Sequence, residues 1–481
     1  MKKLFICFLI FLISFCIFAD DFDSFDDFDN FDDFGNFDDF SEPESVVIGG
    51  KVSTDFRYYL GDEENPVKVI PDAKISFSYD ADKVGFTTVF DVNEDKLKNN
   101  PIDILDEVVL HGYFGNFNVE IGKTRVVWGK GDGVHVLDNF NADNYSDFLI
   151  PDYIDRRISI PMVRTSYSVP NDSNLNFEAV YTPFIAKNHY NTEGSFVPKS
   201  VFELNSFVNA AAQEVLVAGY NPVAIVQAQK LSEDSENVLY PNLLRLKYSQ
   251  IGARITGTAS RFDWGVSYYN GYYKQPSMNP IKIANWCTNY FTGSSIEKFL
   301  EFDRKQTFGI EGATTLWHFN LRGEFAFNLT EDHEGNKPFV HNNSIEWLAG
   351  FDIDLPFWNM NLNLQEMGSF VLGKDDIKHN NSSLSMIGLK DIDYNANGFL
   401  KNRLIADISA SFIHDKLKPE LKLLWCIESH DFVMMPVLSY DLTQSFNVSL
   451  RGLYVWCKDN DSQFKGYDNN DFVQLGASYR F

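Results

Sequence analysis

The chain has 481 residues and a formal net charge of −26, with 41 Lys and Arg against 67 Asp and Glu. This acidity excludes a generic nucleic-acid-binding protein, which needs a basic face, so no nucleic-acid partner is expected. Outside the first nineteen residues only Cys287, Cys426 and Cys457 remain, and three scattered cysteines form neither a disulfide framework nor a zinc site.

Residues 1–19, MKKLFICFLIFLISFCIFA, predict a secretory signal peptide. Lys2 and Lys3 precede an apolar run from Leu4 to Phe18, and a small residue, Ala19, ends it. The run is short for a membrane-spanning helix, which needs about 20 apolar residues. A lipoprotein signal at Cys16 is the less favoured alternative, because the bulky Phe15 precedes that cysteine. No transmembrane helix is expected after the signal.

Residues 20–44 form an acidic tail in which Phe recurs at every third position from Phe22 to Phe40. The tail holds ten Asp and two Glu, so the body from Ser45 onward carries about −16 of the −28 that remains after the signal is removed. A period of three fits neither an amphipathic helix nor an alternating strand. We therefore expect a disordered tail, lying in the periplasm if a barrel follows.

Residues 45–481 predict β-strands, because apolar and polar residues alternate in many long segments. In the terminal DFVQLGASYRF, Val473, Leu475, Ala477, Tyr479 and Phe481 share one side. This ending resembles the last strand of bacterial outer-membrane barrels, which implies that Tyr479 and Phe481 serve as an assembly signal. Eighteen strands are predicted near 46–60, 71–80, 83–92, 104–114, 116–127, 157–169, 174–184, 243–257, 261–274, 304–317, 319–329, 342–355, 357–372, 400–414, 416–427, 431–441, 445–458 and 471–481.

The predicted connections alternate between short and long, which is typical of an all-β, single transmembrane antiparallel barrel with short periplasmic turns and long extracellular loops. The segments also suit strands of roughly 9 to 11 residues that cross lipid at a tilt. A soluble all-β protein is the alternative, although so many strands exceed one sandwich. A barrel of 16 strands remains possible. Five tryptophans near strand ends, including Trp128 and Trp456, suggest aromatic girdles at the lipid interfaces.

Charges of both signs fall on the face predicted to line the barrel interior. The lumen-lining candidates are Arg57, Glu107, Glu120, Glu178, Arg254, Glu311, Arg322, Glu324, Asp352 and Arg451. Such a lining favours a hydrated interior over an apolar one. Rings of charged side chains set selectivity in pores. Paired wall contacts are the alternative role for single members of the set.

Two long connections carry further predictions. Residues 128–157 are too long for a tight turn and are expected to fold into the lumen, with Arg125, Trp128, Asp132, Arg156 and Arg157 as constriction candidates. Gly129-Lys130-Gly131-Asp132-Gly133 matches a phosphate loop only superficially, because the Gly-Lys-Ser/Thr ending is absent. Residues 200–239 show helical spacing and predict one or two amphipathic helices, covered by the lumen mouth or the outer leaflet.

The sequence offers no catalytic constellation. Ser429-His430-Asp431 places triad residue types side by side, but strand neighbours point to opposite faces and cannot form the relay. The nine histidines show no metal-ligand spacing, so no enzyme activity, metal or cofactor is expected.

Several segments together resemble a large, poorly characterised family of outer-membrane barrels of diderm (Gram-negative) bacteria, a domain of unknown function. They are GKTRVVWGKGDGVHVLDNFNADNY (122–145), EAVYTPFIAKN (178–188), SQIGARITGTASRFDWGVSYYNGYYKQP (249–276), LRGEFAF (321–327), WLAGFDIDL (347–355) and the final YRF. The most specific element is Arg125, Trp128, Gly129, Asp132 and Gly133. The resemblance implies one large barrel in the outer membrane and no particular substrate.

From these observations we expect a porin-like channel or transporter for a small solute, with a plugged barrel that acts as a surface binding or structural protein as the alternative. The expected partners are outer-membrane lipid, the barrel-assembly machinery and periplasmic chaperones.

Overall fold

The computed structural model describes residues 46–61, 66–98, 101–147, 153–170, 174–219, 222–293, 298, 300–386, 390–396, 398–458, 462 and 464–481. The predicted signal peptide (1–19) and acidic tail (20–44) lie outside these residues, so both stay predictions.

Eighteen antiparallel strands form one closed sheet. They are β1 (Val47–Tyr59), β2 (Val67–Asp80), β3 (Val84–Asn93), β4 (Leu105–Phe114), β5 (Phe117–Thr124), β6 (Ile160–Ser168), β7 (Asn176–Thr182), β8 (Gln250–Ala259), β9 (Phe262–Tyr272), β10 (Arg304–Leu316), β11 (Phe319–Thr330), β12 (Ser344–Leu355), β13 (Met360–Val371), β14 (Leu400–Ala410), β15 (Leu417–Cys426), β16 (Asp431–Asp441), β17 (Phe446–Trp456) and β18 (Phe472–Arg480). Each predicted strand is present. The all-β barrel prediction with 18 strands is confirmed, and the 16-strand alternative is wrong.

The barrel closes where the first and last strands pair. Arg57 of β1 lies opposite Gln474 of β18 in an antiparallel register. Gly50 and Phe481 exchange backbone hydrogen bonds of 2.9 and 3.0 Å. A Cβ at Gly50 would lie 2.6 Å from the Phe481 ring and 2.8 Å from the Lys74 carbonyl, so this seam requires glycine. Because the ends pair, the barrel leaves no sheet edge exposed.

The two faces of the wall differ in chemistry because side chains alternate along each strand. In β11, Phe325 faces outward and is exposed, while its neighbour Glu324 points inward and is buried. Exposed apolar side chains recur on the outer face of most strands, for example Phe56, Ile251 and Leu475. The outer face is thus an apolar band, as a lipid-facing barrel needs.

Short and long connections lie at opposite ends of the barrel. At one end β4 and β5 are joined by residues 115–116, and β10 and β11 by residues 317–318. At the other end β5 and β6 are joined by residues 125–159, and β7 and β8 by residues 183–249. We call the second end the long-loop rim. The connection between β5 and β6, described below, starts and ends at this rim.

Helices occupy several long connections. They are α1 (Glu94–Lys98), α2 (Tyr153–Arg156), α3 (Lys199–Ala218), α4 (Pro222–Glu233), α5 (Ser235–Leu239), α6 (Pro280–Tyr290) and α7 (Lys374–Ser385), with short 3₁₀ turns at Pro101–Ile104, Leu246–Tyr248 and Lys465–Tyr467. Two-residue strands also pair Ala142–Asp143 with Arg157–Ile158, and Ser277–Met278 with Leu300–Glu301. In the part of the chain that is described, no helix combines the length and apolarity required to cross a bilayer.

The predicted helical segment 200–239 contains α3, α4 and α5. α3 is followed by Gly219, whose φ of 63° is the left-handed conformation common after a helix C-terminus. Val208, Ala212 and Leu231 of α3 and α4 are buried against Trp286 of α6. A helix of the neighbouring connection therefore covers this apolar face, a partner that the sequence analysis did not anticipate.

Candidate functional site: the inner loop

The connection from residue 125 to residue 157 is here called the inner loop, and its described residues, 125–147 and 153–157, fold back into the barrel. Trp128, Leu137 and Phe140 are at most 1% exposed. They form one apolar cluster with wall residues such as Tyr269 and Leu348. The ring of Phe140 lies edge-on between Trp128 and Tyr269, with centroids 5.1 Å from each. These contacts place the loop in the interior, as the sequence analysis expected.

The carboxylate of Glu324 is the main polar anchor of the inner loop. Oε1 accepts the backbone N–H groups of Lys130 and Gly131, each at 2.7 Å. Oε2 accepts those of Val136 at 2.8 Å and Leu137 at 3.3 Å. The Glu324 side chain is 0% exposed. Convergent backbone amides of this kind form a concave anion site, and here the anion is the protein's own carboxylate.

The glycines of the inner loop make this approach possible. Gly129 has a φ of +123°, and a Cβ there would lie 2.3 Å from Oε1 of Glu324. His135 adds a contact of 2.9 Å between its Nδ1 and the same oxygen. The glycine-rich segment, whose likeness to a phosphate loop is superficial, thus surrounds a carboxylate of β11. Because charge-assisted hydrogen bonds are about twice as strong as neutral ones, the loop is firmly held.

Asp132 anchors the next part of the inner loop to β13. Its backbone N–H donates to Gln365 Oε1 at 3.0 Å, and its carbonyl accepts from Gln365 Nε2 at 2.7 Å. Its carboxylate accepts a hydrogen bond from Asn363 and lies 3.5 Å from Arg322. This segment therefore reaches a wall strand that follows it by more than two hundred residues in sequence.

Trp128, which follows β5, also contacts a network of charged side chains on β6, β7 and β8. Its Nε1 donates to Glu178 Oε1 at 3.2 Å. Glu178 also accepts from Arg164 Nε at 2.8 Å and lies 3.9 Å from Arg254. Trp128 was assigned to an aromatic girdle by its position near a strand end. That interpretation is wrong, because the loop turns inward directly after β5 and the indole is buried.

Arg125, Arg156 and Arg157 hold the two ends of the loop. Arg125 forms ion pairs with Asp106 at 2.6 Å and with Glu107. Burial opposes its charged form, but these carboxylates outweigh that effect and raise the pKa of Arg125 above its usual value. At the other end Asp143 lies 3.3 Å from Arg156 and 3.1 Å from Arg157. Paired guanidinium groups thus fix the loop where it enters and leaves the interior.

The inner loop also contacts the first two strands, β1 and β2. Arg57 donates to both carboxylate oxygens of Asp147, at 2.8 and 2.9 Å. Lys74 donates to Asp155 at 2.5 Å. The loop therefore binds wall positions from β1 to β13, which is consistent with a constriction across much of the interior.

The ten lumen-lining candidates all lie on the inner face, and they divide by partner. Arg57, Glu107, Glu178, Arg322 and Glu324 contact the inner loop, as described above. Four of the others pair with wall side chains: Glu120 with Arg164, Arg254 with Glu311, and Asp352 with Arg322. Arg451 lies opposite Val437 on the same face. A role in a solute path stays a prediction for all of them.

Tyr479 and Phe481 lie at the short-connection end, on the outer face, with half-exposed rings. Their rings stack with centroids 6.3 Å apart. The structure does not bring them near the inner loop. Their role as an assembly signal stays a prediction.

Sequence reasoning placed Glu324 on the lining but missed its function as an anchor. The available signal was the run of three glycines at 129, 131 and 133, which frees backbone amides to bind an anion. His135 and Gln365 were also missed, because no local pattern marks them. Among the described residues, no group of three or more His, Cys, Asp or Glu side chains is arranged to hold a metal ion.

Comparison with solved structures gives similarity to porin barrels at low sequence identity. OpdO of Pseudomonas aeruginosa is 9% identical, with a TM-score of 0.44 over 91% of this chain and 97% of that one. OmpF of Salmonella typhi, in complex with daunomycin, is 10% identical, with a TM-score of 0.38 over 91% of this chain and 98% of that one. No curated protein matches the chain. A family model matches residues 40–368, and the chain therefore belongs to the family described as "Protein of unknown function (DUF1302)".

Proposed function

We propose that the protein is an outer-membrane channel for small polar solutes and that the inner loop constricts its passage. The apolar outer band supports residence in a bilayer, since a closed barrel satisfies its backbone groups without water. A barrel of 18 strands encloses an aqueous interior unless loops fill it. Charged side chains such as Arg254 and Glu311 line that interior.

The observation that carries the proposal is the anchoring of the inner loop on Glu324. A loop held by four backbone hydrogen bonds and a histidine contact has a fixed position inside the barrel. A fixed, polar constriction selects solutes by size and charge, as rings of charged side chains do in other pores.

The orientation and partners follow from the same proposal. The short connections and both ends of the barrel sequence would face the periplasm, and the long-loop rim would face the exterior. Outer-membrane lipid would surround the apolar band. The barrel-assembly machinery and periplasmic chaperones would recognise Tyr479 and Phe481. We propose no enzymatic role.

A plugged barrel that acts as a surface binding or structural protein is the second candidate. Phe196, in the connection between β7 and β8, favours it. This side chain is 1% exposed and packs 6.5 Å from Tyr59 and 6.4 Å from Phe472, measured between ring centroids. A second connection therefore also turns inward at the long-loop rim.

Liposome swelling distinguishes the two candidates. Full-length protein is reconstituted into liposomes, and the swelling rate is measured in neutral sugars of increasing size, with protein-free liposomes as the control. The channel predicts fast swelling with small sugars and a sharp fall above one size. Swelling no faster than in the protein-free control for every sugar would support the plugged barrel and contradict the channel.

A further inference from the structure

A polar cavity lies at the long-loop rim, between the inner loop and the end of β9. Its volume is about 130 Å³. For scale, a cavity of about 150 Å³ holds one benzene molecule, so this one has room for a small organic molecule of similar or smaller size. The lining includes Asp138, Asn139, Asp143, Arg157, Lys274 and Lys305.

Two lysines of this cavity lack carboxylate partners. Lys305 is 9% exposed, and its Nζ donates to Asn139 Oδ1 at 2.5 Å. Lys274 donates to Gln250 and, at 3.1 Å, to Tyr269. Neither ammonium forms an ion pair in the described part of the chain, and Glu346 acts on Lys305 only at longer range. Burying an unpaired charge is costly, so this arrangement requires an explanation.

Spare hydrogen-bond donors converge on the same cavity. An ammonium group has three donors, so Lys305 retains two and Lys274 retains one beyond the bonds described above. Nε of Arg157 is buried and has no hydrogen-bond partner among the described residues. Burial, and then the charges of Lys305 and Arg157, lower the pKa of Lys274 well below its usual value. An anion in the cavity would satisfy these donors and relieve the repulsion between like charges.

The lining also limits the charge of that anion. Arg157 already bridges Asp138 at 2.9 Å and Asp143 at 3.1 Å. With both lysines protonated, three cationic and two anionic side chains give the lining a net charge of +1. A monoanion neutralises this charge, whereas a dianion would leave an excess negative charge beside the two aspartates.

We propose that this cavity binds a small organic monocarboxylate, held by Lys274, Lys305 and Nε of Arg157. The inference does not depend on transport through the barrel, because binding is measurable on folded protein in detergent micelles.

The test is a titration of full-length protein in micelles with ¹³C-labelled acetate, followed by NMR at constant ionic strength. We expect saturable binding of acetate. Inorganic phosphate, which carries dianionic character at neutral pH, should bind more weakly. Acetate binding that does not saturate, or tighter binding of phosphate, would overturn the proposal.

Variants then assign the site. Lys305→Met and Lys274→Met should each weaken acetate binding about tenfold or more, because each removes a charged donor. Lys422→Met is the matched control, since Lys422 pairs with Glu420 at 2.8 Å on β15, away from the cavity. Urea midpoints check folding, and the Lys305→Met protein should be no less stable than wild type because it loses a buried, unpaired charge. Wild-type acetate affinity in both cavity variants would refute the assignment.

Discussion

The indole nitrogen of Trp128 donates a hydrogen bond of 3.2 Å to the carboxylate of Glu178, and both side chains are buried inside the barrel. The tryptophan lies near the start of the inner loop, while the glutamate belongs to β7. Their contact therefore fixes the point at which the chain leaves the wall and enters the interior. The ring of Trp128 rests over Gly252, where a Cβ would lie 2.8 Å from its nearest ring atom.

Gly252→Ala should destabilise the protein by about 1–3 kcal/mol, because the added methyl group overpacks the Trp128 and Phe140 rings. The measurement is the free energy of unfolding by urea in lipid vesicles. Gly323→Ala is the control, since a Cβ there meets its nearest neighbour at 3.5 Å, an ordinary contact. Equal stability of the two variants would mean that the Trp128 ring does not pack against Gly252.

A pH-dependent contact joins two long connections at the rim. His341 Nδ1 lies 3.0 Å from Asp393, whose carboxylate also accepts the Asn342 N–H at 2.6 Å. Burial opposes protonation of His341, but the hydrogen bond and charge of Asp393 outweigh burial and raise its pKa above 6.5. The stabilisation is therefore complete below that value and is lost as the pH rises through the raised pKa.

We expect amides in residues 331–343 to be better protected from hydrogen exchange at about pH 6 than at about pH 9, after correction for intrinsic exchange rates. His341→Gln should give low protection at both pH values. Protection that is the same at both pH values in the wild type would show that this ion pair does not hold the connection.

Phe481→Ala should lower the amount of protein assembled in the outer membrane while leaving the stability of the folded protein within about 1 kcal/mol of wild type. The ring is 52% exposed, and the backbone bonds to Gly50 persist in the variant. The measurements are the yield in the membrane fraction and the urea midpoint of the purified protein. A wild-type yield would contradict the role of Phe481 in assembly.

The barrel could be predicted from sequence because its pattern is local. Alternation in FNLRGEFAFNL assigns Glu324 to the inner face and Phe325 to the outer face without knowledge of any other strand. The same rule, applied along the chain, gives all the strands and the alternation of connection lengths. Closure of the barrel follows because, in lipid, the backbone N–H and C=O groups of the two edge strands can form hydrogen bonds only with each other.

The inner-loop contacts could not be predicted, because they join residues far apart in sequence. Gly131 and Glu324 are 193 positions apart, and the sequence around each residue contains no signal that it contacts the other. The girdle interpretation of Trp128 was wrong for the same reason, since a tryptophan after a strand fits a lipid interface until the path of the chain is known. Its other assignment, to a loop that folds into the lumen, agrees with its burial. α7 was also missed, because its sequence KDDIKHNNSSLS lacks an apolar stripe.

The most direct test of the central claim is the single-channel conductance of the Glu324→Gln variant beside wild type in planar bilayers. The amide replaces one acceptor with a donor that faces the loop's own N–H groups, which should weaken the anchor by about 2–4 kcal/mol. Glu94→Gln is the control, because Glu94 pairs with Lys98 within α1 and both side chains are exposed outside the barrel wall. If the inner loop constricts an open channel, the wild type conducts, the control has the same conductance, and Glu324→Gln has a larger and noisier conductance. A wild type that does not conduct, or an identical conductance in all three proteins, would contradict the claim.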